Sequence, residues 1–299
     1  MMRKLLLFAT MLGFSLSAAA QVFSVASIEK VNLPEPAAVA AISPQGDYLL
    51  LTSATNQGLT KWDIASRQSQ TLSTAPGAGH NVAVSPDGKS VLFRESSFNS
   101  KHLRQSSLKC VDLATGKSQV LLKPSRDLQG YAIGATSAGV VNKGKFIKKA
   151  TGKAKAQDLP VLSIDRGRLM ITVGGKTREF SPSGAGHSYL WPSLSPSGTR
   201  VLYYVAARGA YVCDLDGSNV RKVGTMRAPV WYDDETVIGM MDKDDGELIY
   251  ASTIVAATLD GRTQTLTGDQ TIAMYPHAAA GKIVFSTPAG EAYIIHVNP

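Results

Sequence analysis

The feature that most restricts the fold of this chain is a Ser-Pro-x-Gly element that recurs directly before strand-forming residues. It appears as "SPQGDYLLL" at Ser43, "SPDGKSVLF" at Ser85 and "SPSGTRVLYY" at Ser195. Proline presets its own φ and glycine tolerates positive φ, so each copy predicts a tight turn into the next strand. A recurring motif indicates a repeated structural unit. We therefore assign these serines to turns, not to catalysis.

A second pattern follows the first and completes the repeat. Segments such as "KWDIASRQSQTL" and "KCVDLATGKSQVL" contain a strand, a turn rich in Gly, Asp or Ser, and a returning strand, which is a hairpin signal. Two hairpins in a unit of roughly 40 to 47 residues are typical of a β-propeller blade. We predict an all-β protein, a six-bladed β-propeller. The predicted blades are 36–73, 79–122, 130–180, 187–223, 227–267 and 271–297.

The two ends of the chain are predicted to meet in the last blade. That blade has room for only three strands, whereas residues 22–34 form a spare strand near the N-terminus. We predict that this strand becomes the outer strand of the last blade. Such closure removes exposed sheet edges.

The repeats resemble those of TolB-like six-bladed propellers. The resemblance lies in "SPDGKSVLF" and "SPSGTRVLYY", each followed by "VDLATGKSQVL" or "CDLDGSNVRKV", units that are similar to Trp-Asp repeats and to prolyl oligopeptidase propellers. It implies a role in assembly or trafficking of the cell envelope. The chain has no Gly-x-Ser-x-Gly motif, which a peptidase of that class would need. We therefore favour a non-catalytic protein-interaction module and assign no catalytic residues.

The first twenty residues predict export. Arg3 and Lys4 precede an apolar run, and small residues follow at 18–20, as in a cleavable secretory signal. The run is too short to span a membrane. We expect a signal peptide over 1–20, a single propeller domain over 21–299, and a periplasmic or secreted protein without a membrane span.

Charge and cysteine content narrow the function classes. The chain has 31 basic and 23 acidic residues, a mild excess that does not form the concentrated stripe of a nucleic-acid binder. Nucleic acid is therefore not an expected partner. The two cysteines, Cys110 and Cys213, fall on corresponding strands of different blades, so we predict two buried free thiols and no disulfide.

Three histidines form the candidate ligand site. "GAGH" occurs twice, ending at His80 and His187, and each copy leads into a blade, while His277 enters the last blade at a comparable place. One interpretation is a ring at the channel mouth that binds a metal or an anionic ligand; the other is three unrelated surface histidines. We assign no metal or cofactor. The alternative function is a propeller enzyme or lectin acting on anionic glycan, so the question of catalysis stays open.

A basic segment supplies the candidate partner-binding residues. Residues 142–157 contain six lysines and no acid until Asp158. We read the segment as an insertion in blade three, either a solvated loop or a docking surface for an acidic polymer, glycan or partner through Lys145, Lys148 and Lys149. The expected partner is an envelope protein; its identity and the oligomeric state are left open.

Overall fold

The structure is a computed structural model that describes residues 21–152 and 155–298. The predicted signal peptide and Lys153 of the basic segment lie outside the described residues. The described residues form strands in seven antiparallel sheets and contain no helix. Sheet one contains β2 (Ala38–Ile42), β3 (Tyr48–Thr52), β4 (Leu59–Asp63) and β5 (Ser69–Ser73), and sheet two contains β6 (Ala83–Val84), β7 (Ser90–Phe98), β8 (Arg104–Asp112) and β9 (Ser118–Ser125). Sheet three contains β10 (Leu128–Ile133), β11 (Ser137–Asn142) and β12 (Lys145–Ala150), and sheet four contains β13 (Val161–Asp165), β14 (Arg168–Val173) and β15 (Lys176–Glu179). Sheet five contains β16 (Tyr189–Leu194), β17 (Arg200–Val205), β18 (Gly209–Asp214) and β19 (Arg221–Gly224); sheet six contains β20 (Arg227–Trp231), β21 (Thr236–Asp244), β22 (Ile249–Thr258) and β23 (Thr263–Thr265); and sheet seven contains β24 (Met274–Ala279), β25 (Lys282–Ser286), β26 (Ala292–Asn298) and β1 (Ser24–Lys30).

The prediction of an all-β propeller is confirmed, but the predicted number of six blades is wrong. The described chain has seven, because the segment taken as one blade, 130–180, contains two separate three-stranded sheets. Neither sheet contains a Ser-Pro-x-Gly turn, and each has three strands within the described residues. The predicted third blade therefore merged two short blades into one long one.

The Ser-Pro-x-Gly turns have the predicted geometry. Gly46, Gly88 and Gly198 have φ of 68°, 70° and 73°, and each N–H donates to the carbonyl of the turn's serine. The hydroxyl of the same serine accepts a hydrogen bond from the backbone N–H five residues later, as from Ser90 N to Ser85 Oγ at 2.9 Å. The buried serine thus satisfies a strand N–H that the turn leaves without a backbone partner.

The N-terminal strand lies at the outer edge of sheet seven. The order of that sheet is β1-β26-β25-β24, and β1 pairs antiparallel with β26. The residues before it are fixed on sheet six, because Gln264 Oε1 accepts hydrogen bonds from Val22 N and Phe23 N at 2.9 and 2.8 Å. Phe23 is buried against Tyr232, with ring centroids 4.6 Å apart.

The hydrophobic core lies between the sheets. Leu49 and Trp62 of sheet one pack with Ile294 of sheet seven. Equivalent clusters join the other neighbouring sheets in the described chain except sheets three and four. At that interface a Cβ on Gly139 would lie 2.9 Å from Val161 Cγ2. Sheets three and four therefore pack through close contact with the backbone at Gly139, where the other pairs of sheets pack through large side chains.

The two cysteines are buried and free, as predicted. Cys110 packs between sheets two and three, and Cys213 between sheets four and five. Burial raises the pKa of the Cys110 thiol to about 11. Both thiols are therefore protonated and unreactive at neutral pH.

Candidate functional site

The propeller has two different faces. Because successive strands in each sheet alternate in direction from the axis outward, the Ser-Pro-x-Gly turns at Ser43, Ser85 and Ser195 lie on one side, which we call the turn face. The turns between second and third strands of the four-stranded sheets, and the connectors that follow a fourth strand, lie on the other side, which we call the hairpin face. Loops at one end of a propeller are the usual place for ligands and partners.

Two long hairpins extend from the hairpin face. β7 and β8 of sheet two have nine residues each, and β21 and β22 of sheet six have nine and ten, whereas β3 and β4 of sheet one have five. Their tips are ordered by side-chain hydrogen bonds, including Leu103 N to Asn99 Oδ1 at 3.0 Å and Leu248 N to Asp245 Oδ1 at 2.8 Å.

Large exposed apolar side chains concentrate on this face. At the hairpin tips, Phe98, Leu248 and Tyr250 are 70, 71 and 60% exposed. Of eleven such side chains in the described residues, seven are on or near the hairpin face by their position in the strands: Phe98, Leu103, Leu190, Met241, Leu248, Tyr250 and Tyr275. Exposed apolar groups gathered in one region of a surface mark an interaction site.

The two hairpin tips carry opposite charge. The tip of sheet two has Lys101 and Arg104 with no acidic side chain between them, whereas the tip of sheet six has Asp244, Asp245 and Glu247. All five side chains belong to exposed residues. A partner that contacts both tips must therefore present charge of both signs.

The three predicted histidines lie in three different sheets or connectors. His80 is in the connector before sheet two, His187 in the connector before sheet five, and His277 on the inner strand of sheet seven. Burial lowers the pKa of His277 to about 4, although a hydrogen bond to the Val39 backbone opposes the shift. His277 is therefore neutral at pH 7. Whether the three bind one ligand stays a prediction.

The predicted lysines lie on an edge strand and not in an inserted loop. Lys145, Lys148 and Lys149 belong to β12, the outermost strand of sheet three, and Lys148 Nζ is 2.9 Å from Asp158 Oδ1. The reading of this segment as an insertion is wrong for residues 145–150, because β12 pairs with β11 along its whole length. Lysines on an open edge discourage pairing with another chain. Their role in binding an acidic partner stays a prediction.

Two surface clefts lie away from these residues. The first, about 370 Å³, is between sheets six and seven and includes Phe23, Asp233 and Arg262. The second, about 310 Å³, is between sheets five and six and includes Met226, Met241 and Gln264. Neither includes a predicted site residue.

Within residues 21–152 and 155–298, no three His, Cys, Asp or Glu side chains lie close enough to hold a metal ion. No helix in this same part of the chain has the length and apolar character needed to cross a membrane.

Solved structures with this architecture include proteins of several kinds. The β-propeller domain of Cps50 (Swd1) from Myceliophteria thermophila has a TM-score of 0.64 at 11% identity, covering 92% of this chain and 100% of that one. A putative TolB from Agrobacterium tumefaciens has 0.54 at 16%, covering 91% and 97%. An oligogalacturonate lyase in complex with manganese has 0.50 at 16%, covering 86% and 76%. No protein-family model and no curated protein matches the chain. At these identities the similarity, TolB included, establishes the propeller fold.

Proposed function

We propose that this protein is an exported, periplasmic interaction module that binds an envelope protein through its hairpin face. The observation that carries the proposal is the set of exposed apolar side chains at the tips of two extended hairpins, represented by Phe98, Leu248 and Tyr250. The signal-like N-terminus and the structural similarity to a TolB protein support the compartment and the class of function.

The charge of the two tips specifies the partner further. A partner segment with apolar side chains, acidic groups toward sheet two and basic groups toward sheet six would complement Lys101 and Arg104 on one side and Asp244, Asp245 and Glu247 on the other. Apolar contacts at the centre supply affinity, and flanking charges set orientation and association rate.

Substitutions at the hairpin tips test the proposal. Phe98→Glu and Leu248→Glu each change an exposed side chain, so folding should be unaffected. Val220→Glu is the matched control, because Val220 is 42% exposed and lies between β18 and β19 on the turn face. A partner captured from envelope extract is identified, purified and titrated against each variant by calorimetry.

We expect each tip variant to bind at least about tenfold more weakly, the usual effect of removing an apolar anchor from an interface, and Val220→Glu to bind like the wild type. Equal binding by all variants, or a loss confined to Val220→Glu, would contradict a partner site on the hairpin face.

A further inference from the structure

A group of basic side chains meets at the junction of sheets two and three on the hairpin face. His80 comes from the connector, Arg94 from β7 and Arg104 from β8. Tyr131 of β10 closes the group, because its hydroxyl donates a hydrogen bond to Asn81 O at 2.7 Å and lies 3.3 Å from His80 O.

The pleat of sheet two directs both arginines toward sheet three. Leu92 and Leu108 pack against Val140 of sheet three, and alternate residues of a strand share a face. Arg94 follows Leu92 by two residues and Arg104 precedes Leu108 by four, so both lie on this same face. The side chains therefore converge through strand pairing although they are not adjacent in sequence.

The positive charge of this group has no partner in the described chain. No carboxylate there lies within ion-pair distance of Arg94 or Arg104. Glu95 lies on the opposite face of the strand, where it pairs with Lys109 at 2.8 Å and accepts a hydrogen bond from Ser73. The nearest acidic side chain in sequence is thus already engaged elsewhere.

Arg94 also has an unsatisfied donor. Its Nε is buried and has no hydrogen-bond partner among the residues that the structure describes. Burial lowers the pKa of Arg94; neighbouring Tyr131 opposes the shift, and Arg104 adds to it. A half-buried guanidinium without a carboxylate partner is costly, and a buried N–H donor without a hydrogen-bond partner adds to the cost. The arrangement is one that a bound anion would relieve.

Arg104 and His80 can donate to an anion beside Arg94, and Tyr131 adds no charge to the group. Arg104 is fixed by hydrogen bonds from Nε and Nη2 to Ser96 Oγ, at 3.2 and 2.9 Å. Burial, together with Arg94 and Arg104, lowers the pKa of His80, so its imidazole is neutral at pH 7 and can donate one N–H. Tyr131 stays protonated because burial raises its pKa to about 12.

We propose that His80, Arg94 and Arg104 form a binding site for an oxyanion, a carboxylate or phosphate group, at the junction of sheets two and three. A guanidinium presents parallel N–H donors that match two oxygens of either group. Arg104 is shared with the partner surface proposed above, but the two proposals rest on different observations: the uncompensated charge here, and the exposed apolar side chains there.

Calorimetric titration of the purified protein tests the site. Inorganic phosphate and citrate are the two probes, each at constant ionic strength made up with sodium chloride. We expect saturable binding of at least one probe. Tighter binding of phosphate would indicate a phosphate-bearing ligand, and tighter binding of citrate a carboxylate-bearing one.

Arg94→Gln and Arg104→Gln should each weaken the binding of that probe at least tenfold, while Arg221→Gln, an exposed arginine on β19, should leave it unchanged. Arg94→Lys keeps the positive charge but loses the parallel N–H donors of the guanidinium. It should therefore weaken binding by a smaller factor than Arg94→Gln does. Without anion, Arg94→Gln should unfold at the same temperature as the wild type or a higher one, because it removes an unpaired buried charge.

Two results would overturn the proposal. One is the absence of saturable binding of both probes by the wild type. The other is binding that Arg94→Gln leaves intact while lowering the unfolding temperature, which would make Arg94 a structural residue.

Discussion

The two connectors that contain Gly-Ala-Gly-His have the same four residues in different surroundings. In the first, 77–80, Gly77, Ala78 and Gly79 are buried, and a Cβ on Gly79 would lie 2.1 Å from Thr52 Oγ1. In the second, 184–187, the first three residues are exposed, and neither glycine has an atom within 4 Å of its would-be Cβ.

The difference arises from the strands beside each connector. β6 has only two residues and pairs with Val91 and Leu92, so the inner edge of β7 beyond Leu92 is free. The first connector occupies that edge, with Ser96 N donating to Pro76 O at 2.7 Å. In sheet five, β16 has six residues and pairs with β17 through Tyr189 and Val205, which leaves no such edge for the second connector.

The largest expected effect is at the third residue of the motif. Gly79→Ala would place a methyl group within the Thr52 side chain, so we expect a loss of about 3 kcal/mol in the free energy of unfolding. The matched variant Gly186→Ala meets open space but keeps φ of 82°, and should lose about 1 kcal/mol. Urea denaturation of both variants measures the two losses in free energy of unfolding. Equal losses would contradict the proposed difference between the buried and the exposed connector.

A smaller effect is expected at the first residue of the motif. Gly77 has φ of 77°, and its would-be Cβ lies 2.6 Å from Ser96 Oγ, the acceptor for Arg104. Gly77→Ala should cost about 2 kcal/mol, since Ser96 can move. Displacing Ser96 also releases Arg104, so we expect weaker phosphate or citrate binding by calorimetry.

Gly184→Ala is the control for this second comparison. It has φ of 102° and no neighbour within 4 Å, so it should cost about 1 kcal/mol and leave anion binding unchanged. Weaker anion binding by Gly184→Ala would show that the second connector also contributes to the site.

The smallest expected effect is the pH dependence that His80 confers. Its folded-state pKa is lowered from 6.5, chiefly by burial, so the unfolded chain binds more protons. The contribution of neutral His80 to the free energy of unfolding is fully present above pH 6.5, and it is lost as the pH falls from 6.5 through the folded-state pKa. We expect unfolding measurements at pH 7.5 and 5.5 to differ less for His80→Gln than for the wild type. An unchanged difference would mean that His80 is not buried against Arg94 and Arg104.

The sequence predicted the repeat better than the site. Ser43, Ser85 and Ser195 are turn residues as expected, because Ser-Pro-x-Gly acts over a few neighbouring residues. "GAGH" drew attention to His80 but also to His187, which lies in the open connector. Arg94 and Arg104 were missed. The available signal was a charged residue at Arg94, two positions after buried Leu92, where alternation predicts an apolar residue.

The amino-acid sequence by itself determined the turns, the strand alternation and the propeller class, because each depends on the conformational preferences of residues close together in the chain. The tertiary structure decided the number of blades, the burial of one Gly-Ala-Gly-His copy and the convergence of His80, Arg94 and Arg104. Those properties depend on which strands lie side by side and how far each one extends, and distant residues set both through packing.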